Sequence, residues 1–176
     1  MQELLERVSE FKEHFYSVSI TGGEPLLQRE FLKEFLPMLR QTGKRIYLET
    51  NGTLPDELAD IIDFVDTIAM DFKLPSSSAL KNFWYEHRMF LKEAAKKEVF
   101  AKAVITSTTM VSDIEKMLDI ISDINPFITL VLQPVTPIHG IDKPSLDKLL
   151  SFKRVCENKL KTVKVIPQMH KVMGVK

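Results

Sequence analysis

The sequence predicts an α/β fold of about six parallel strands, arranged either as a partial barrel or as a doubly wound sheet. Two observations carry that expectation. Short β-rich runs alternate with amphipathic helical stripes along all 176 residues. The connections between them are short, and no low-complexity stretch or linker interrupts them, so residues 1–176 are read as one domain. Composition agrees. Hydrophobic residues make up 44% and charged residues 27%, the balance of a globular chain rather than a disordered one.

Taken in order, Leu4, Leu5, Val8, Phe11 and Phe15 form a helical stripe over 2–15, and 16–20 reads as a strand. Phe31, Leu32, Phe35, Leu36 and Leu39 mark the next helix, with Pro37 expected to kink it and Gly43 to end it. Residues 45–49 form a strand, and 54–64 a helix opened by Thr53 and Pro55, since proline is tolerated in a first turn. Strands at 67–72, 99–105, 128–133 and 162–166 alternate with helices at 87–97, 112–124 and 145–158. The second of these helices carries a Ser112–Glu115 capping-box pattern. Leu74 to Ser78 reads as a local loop.

Several function classes are excluded or disfavoured. Lys and Arg number 24 against 24 Asp and Glu, so no net positive charge recommends a nucleic-acid partner. No apolar run approaches the ~20 residues of a membrane span, and no signal-peptide pattern opens the chain. The single cysteine, Cys156, rules out an internal disulfide or a multi-cysteine metal site built from these residues, and points to a reducing, cytoplasmic setting. Cys156 shares a helix with Leu146 and Leu149 and is expected to be a small buried hydrophobe. No residue is assigned as a metal ligand.

In parallel α/β folds ligands gather at the carboxyl ends of strands, and there the chain is distinctive. The first strand is followed by Thr21-Gly22-Gly23-Glu24-Pro25, the second by Glu49-Thr50-Asn51-Gly52-Thr53. The third ends Asp71-Phe72-Lys73, the fifth Gln133-Pro134-Val135-Thr136-Pro137, and the last leads to Gln168-Met169-His170-Lys171. The two glycines form either a plain strand-to-helix turn or a surface on which a ligand lies against bare backbone, with Glu24 accepting from an ammonium group. Asn51-Gly52 is a common turn pair. Glu49 follows an apolar strand and is expected to face the rim. Asp71 and Lys73 share a face and pair with each other or with a ligand. His170 reads as a surface or core histidine as readily as a ligand-binding one.

Together, VSITGGEPLLQ, IYLETNGTLPDEL, IAMDFKLPSS, LVLQPVTP and VIPQMHKVMG resemble the radical S-adenosylmethionine superfamily, and within it the 7-carboxy-7-deazaguanine synthase family of queuosine biosynthesis. The resemblance runs from about Glu3 to the end. It implies a TIM-barrel-like partial (β/α) barrel that binds S-adenosylmethionine, with Gly22, Gly23 and Glu24 at its methionine end. Asp71, Phe72 and Lys73 would line the cofactor, and Gln133, Pro134, Val135 and Thr136 its adenosine. Thr21, Glu49, Asn51, His170 and Lys171 would meet a pterin substrate. The family reaction contracts the ring of 6-carboxy-5,6,7,8-tetrahydropterin with loss of ammonia. It uses a [4Fe–4S] cluster held by a CxxxCxxC loop, and a magnesium ion. That loop and the strand before it are absent from these 176 residues, so the chain is expected to lack the cluster ligands, to be inactive by itself, and to have no catalytic residue assigned. Its bare first strand is expected to draw it into a homodimer or to be covered by the first helix. Two rival readings are a glycyl-radical enzyme activase and a non-catalytic adenosyl-binding module.

Overall fold

A computed structural model describes residues 1–11, 15–78, 81–137 and 140–168. Six strands form one sheet: β1 (Ser17–Ile20), β2 (Arg45–Thr50), β3 (Thr67–Phe72), β4 (Glu98–Ile105), β5 (Thr129–Pro134) and β6 (Val163–Val165). Their spatial order is their chain order, and every pair is parallel. A doubly wound sheet needs a point where the order reverses, and this sheet has none. Crossovers of one hand then place all connecting helices on the same side, which gives an open partial barrel.

The helices are α1 (Gln2–Glu10), α2 (Arg29–Arg40), α3 (Pro55–Ala59), α4 (Pro75–Ser78), α5 (Trp84–Ala94), α6 (Val111–Ile124) and α7 (Leu146–Glu157). Burial follows the pleat. Ile46 and Leu48 of β2, and Ile68, Met70 and Phe72 of β3, are buried beneath this layer with Leu36, Leu39, Phe90 and Ile121. The alternate positions Tyr47, Glu49, Asp71 and Lys102 look onto the concave face and are half-buried. At the amino end of that face Arg45 pairs with Glu98 and bonds Thr67 Oγ1 at 2.9 Å. Among the described residues no helix is long and apolar enough to cross a membrane.

Several boundaries differ from the sequence expectation. The helix expected at 54–64 tightens after Ala59 into a turn and a 3-10 segment, Ile62–Phe64, as helix ends often do. The segment 74–78 contains the single turn α4. The α5 helix begins three residues early because Trp84 and Phe90 turn inward with it. The Ser112 capping box does not form. Helix α6 starts at Val111, and Asp113 reaches across to accept from the Ser76 backbone N–H at 2.9 Å and its hydroxyl at 2.6 Å. A contact from another element has displaced the local cap. Ser145, by contrast, caps α7 through the Lys148 N–H. Helix α2 continues through Pro37 to Arg40.

Candidate functional site

The turn after β1 sets Gly22 at φ 95° and Gly23 at φ 54°, left-handed conformations that a β-carbon disfavours. A Cβ built on either would meet nothing within 4 Å, so this stretch of backbone faces open space. Glu24, read from the sequence as an acceptor for an ammonium group, makes three hydrogen bonds within the protein. Its Oε1 accepts from Leu26 N–H at 3.2 Å and Thr50 Oγ1 at 2.8 Å, and its Oε2 from Asn51 N–H at 2.7 Å. The carboxylate therefore ties the rim turn of β1 to that of β2.

Asn51 closes its own turn, its Oδ1 accepting from Thr53 N–H at 3.0 Å and Thr53 Oγ1 at 2.6 Å. Gly52 follows at φ 67°, where a Cβ would stand 2.6 Å from Met70 Cε. Behind the turn His87 is fully buried, with Nε2 3.1 Å from the Asn51 carbonyl. A carbonyl only accepts, so Nε2 carries the proton and the buried Nδ1 is left without a partner. The ring packs on Phe72 (centroids 4.8 Å apart), with Phe83 and Trp84 beyond. Burial pushes the imidazole pKa down to about 4, against the opposing pull of the Asn51 carbonyl and Asp71.

Across the sheet, Lys73 Nζ bonds Asp71 Oδ2 at 2.7 Å, while Asp71 Oδ1 is buried without a partner among the described residues. Phe72 is 1% exposed and packs its ring on His87, and it also lines a cavity beyond Asp71 and Lys73. Thr21, Gly23, Glu49, Asn51, Asp71 and Lys73 line one polar cavity of about 180 Å³ with Ala69 and Lys102. An adjoining cavity of about 190 Å³ shares Asp71 and Lys73 and is walled by Leu74, Val104, Thr106 and Val135. Gln133 lies beside Val104 in register, Pro134 ends β5, and Thr136 N–H donates to Gln168 at 3.2 Å. His170 and Lys171 lie outside the described residues. Lys102 was not anticipated, because it sits mid-strand rather than at a rim. The available signal was its charge in the otherwise apolar run Val99 to Ile105.

The Radical SAM superfamily model matches residues 1–83. The 7-carboxy-7-deazaguanine synthase of Methanocaldococcus jannaschii is 34% identical across 99% of this chain and 74% of its own length. The chain belongs to the 7-carboxy-7-deazaguanine synthase family. The synthase of Geobacter sulfurreducens is 40% identical across 90% of this chain, and the chain spans 63% of its length. Among solved structures, a domain of pyruvate-formate lyase-activating enzyme from Bacteroides vulgatus superposes with a TM-score of 0.71, covering 86% of this chain and 99% of that one. At 16% identity that likeness shows the fold alone.

Membership in this family implies S-adenosylmethionine and an iron–sulfur cluster. The rim suits the first: Gly23 and Lys73 line the polar cavity, and Lys73 also borders the adjoining cavity with its apolar wall of Leu74, Val104 and Val135. These residues do not suit the second. The only cysteine of the 176 residues is Cys156, fully buried in α7, its thiol pushed up to about 12 by burial. Cluster ligation takes several thiolates. Among the described residues no group of three His, Cys, Asp or Glu is placed to hold a metal.

Proposed function

We propose that this chain forms the cofactor- and substrate-binding wall of a 7-carboxy-7-deazaguanine synthase, acting on 6-carboxy-5,6,7,8-tetrahydropterin. The observation that supports it is the convergence of the family's separate segments, Thr21 to Gly23, Glu49 to Asn51 and Asp71 to Lys73, on one cavity. In such an enzyme S-adenosylmethionine, with a cluster held by residues other than these, supplies the radical chemistry. The chain's own groups bind and orient. Glu49, which makes no hydrogen bond or ion pair with any described residue, accepts from the pterin's ring N–H donors. The Asn51 amide nitrogen, left free by the turn, donates to a ring oxygen or nitrogen. Val135 and Leu74 offer apolar surface to the adenosine. A magnesium ion would belong with the cluster-bearing segment. A cytoplasmic setting follows from the substrates and the lone thiol.

Titrating the chain with S-adenosylmethionine, and separately with 6-carboxypterin, is expected to give weak saturable binding of each. Glu49→Gln should weaken the pterin about tenfold, the scale of one charge-assisted hydrogen bond, and leave S-adenosylmethionine unchanged. Binding of neither ligand, or a pterin affinity indifferent to Glu49→Gln, would overturn the reading.

We also propose that the chain self-associates through β1. Among the described residues that strand is hydrogen-bonded in the sheet on one side only, to β2. Helix α1 leans over it without burying any residue of its own and leaves an apolar groove of about 600 Å³ lined by Val8, Phe11, Val18, Ile20 and Phe35. Ser17 and Ser19 are exposed and carry no charge to deter pairing. Sedimentation should show a dimer that Ser19→Lys dissociates. A monomer whose β1 amides exchange rapidly would refute it.

A further inference from the structure

We propose that Lys102 reads the anionic group of the substrate, at the end of the site opposite Glu49; this rests on the pterin reading above. Lys102 stands on β4 in register with Asp71 and lines the polar cavity. Asp71 is one carboxylate beside two lysines: its Oδ2 is taken by Lys73 at 2.7 Å, and among the described residues it forms no hydrogen bond or ion pair with Lys102. Among the described residues Lys102 makes no hydrogen bond or ion pair. A half-buried ammonium in an apolar strand is a costly placement unless an anion completes it.

The spacing states which kind of anion. Glu49, also unpartnered, lies on β2, and β3 contributes only Ala69 to the cavity between them at the level of Glu49. Neighbouring strands are about 4.8 Å apart, so the backbones carrying the two residues lie roughly 10 Å apart across the sheet. Lys102 stands two residues further along it, because Glu49 registers with Ala69 and Ala69 with Phe100. Among the described residues they form no ion pair with each other. Tyr47 and Phe100, with ring centroids 6.2 Å apart, lie on the same concave face but outside the residues that line this cavity. A ligand that satisfies both residues carries N–H donors at one end and an anion at the other, and bridges Glu49 to Lys102. A bicyclic pterin bearing a carboxylate on the ring distal to its aminopyrimidine has that distribution. Lys102 thus selects the carboxylated substrate over neutral pterins.

The test compares 6-carboxypterin with pterin, which lacks the carboxylate, by fluorescence or calorimetric titration of the 176-residue chain. Lys102→Met is expected to weaken 6-carboxypterin about 10- to 100-fold, the range for a charge-assisted hydrogen bond. Pterin itself should move less than about twofold, and Lys102→Arg should recover most of the loss. Lys102→Gln serves as a second neutral variant should the methionine variant fail to fold. Equal losses for both probes, no loss for either, or a loss confined to S-adenosylmethionine would overturn the assignment while leaving the pterin reading in place. A wild-type chain that binds neither probe would overturn that reading and this inference together.

Discussion

Between pH 7 and pH 4.5 the protein is expected to lose about 2.5 kcal/mol of stability through His87 alone. The imidazole is fully buried among Phe72, Phe83 and Trp84, with its proton on Nε2 facing the Asn51 carbonyl. Burial holds its pKa near 4, below the ordinary 6.5. The unfolded chain therefore takes up a proton between those values while the folded chain does not. The contribution is complete above pH 6.5, declines by about 1.4 kcal/mol per pH unit below it, and levels off once the folded ring also protonates near pH 4. Carboxylates such as Asp66 also titrate in acid, its pKa held down chiefly by the Arg40 hydrogen bond against the cost of burial. The comparison that isolates the ring is His87→Phe, which keeps an aromatic in the cage and removes the titration. Urea unfolding at pH 7 and pH 4.5 should show a drop that is smaller in His87→Phe by about the stated amount. Parallel pH dependence in the two proteins would show that His87 is not held neutral.

The fate of His87 shows what the sequence could and could not reveal. Strand alternation at Ile46 to Leu48 and Ile68 to Met70 comes from backbone periodicity, so the parallel α/β layers were readable from hydrophobic spacing. The choice of partial barrel over doubly wound sheet depends on strand order, a non-local property that no window of residues contains. The rim segments were legible because glycine and proline punctuate them. Roles within the rim were less so. Glu24 reads as an exposed ligand group until Thr50 and Asn51 are brought beside it from 26 and 27 residues away. Phe72 sits between two site residues in the sequence, and its near-complete burial against His87 shows only in the packing. Lys102 and His87 lie mid-element, where a charged or titratable residue looks incidental. Only packing shows one facing the cavity and the other bracing it from behind.

Glu24→Ala is expected to destabilise the protein by about 3 kcal/mol or more, and to abolish ligand binding at the rim with it. Three donors converge on this carboxylate: Leu26 N–H, Thr50 Oγ1 and Asn51 N–H, at 3.2, 2.8 and 2.7 Å. Hydrogen bonds to a charged acceptor contribute about 1.5–3 kcal/mol each, and donors left unpaired out of water cost about 1–3 kcal/mol. The sum is reduced because Thr50 Oγ1 already accepts from Gly52 N–H at 3.2 Å and its hydroxyl hydrogen can swing to another acceptor. Glu24→Gln is the sharper probe. It preserves shape and one acceptor oxygen, but it sets an NH2 group against at least one of the three donors, and should cost about 1–3 kcal/mol. The two roles open to Glu24 make opposite forecasts for this variant. A carboxylate that only touched an ammonium-bearing ligand would lose affinity in Glu24→Gln while the thermal midpoint stayed put. A carboxylate that ties two rim turns together loses both, and hydrogen exchange at Leu26 and Asn51 should quicken as the turns after β1 and β2 come apart. An unchanged midpoint with protected Asn51 exchange would return Glu24 to the ligand.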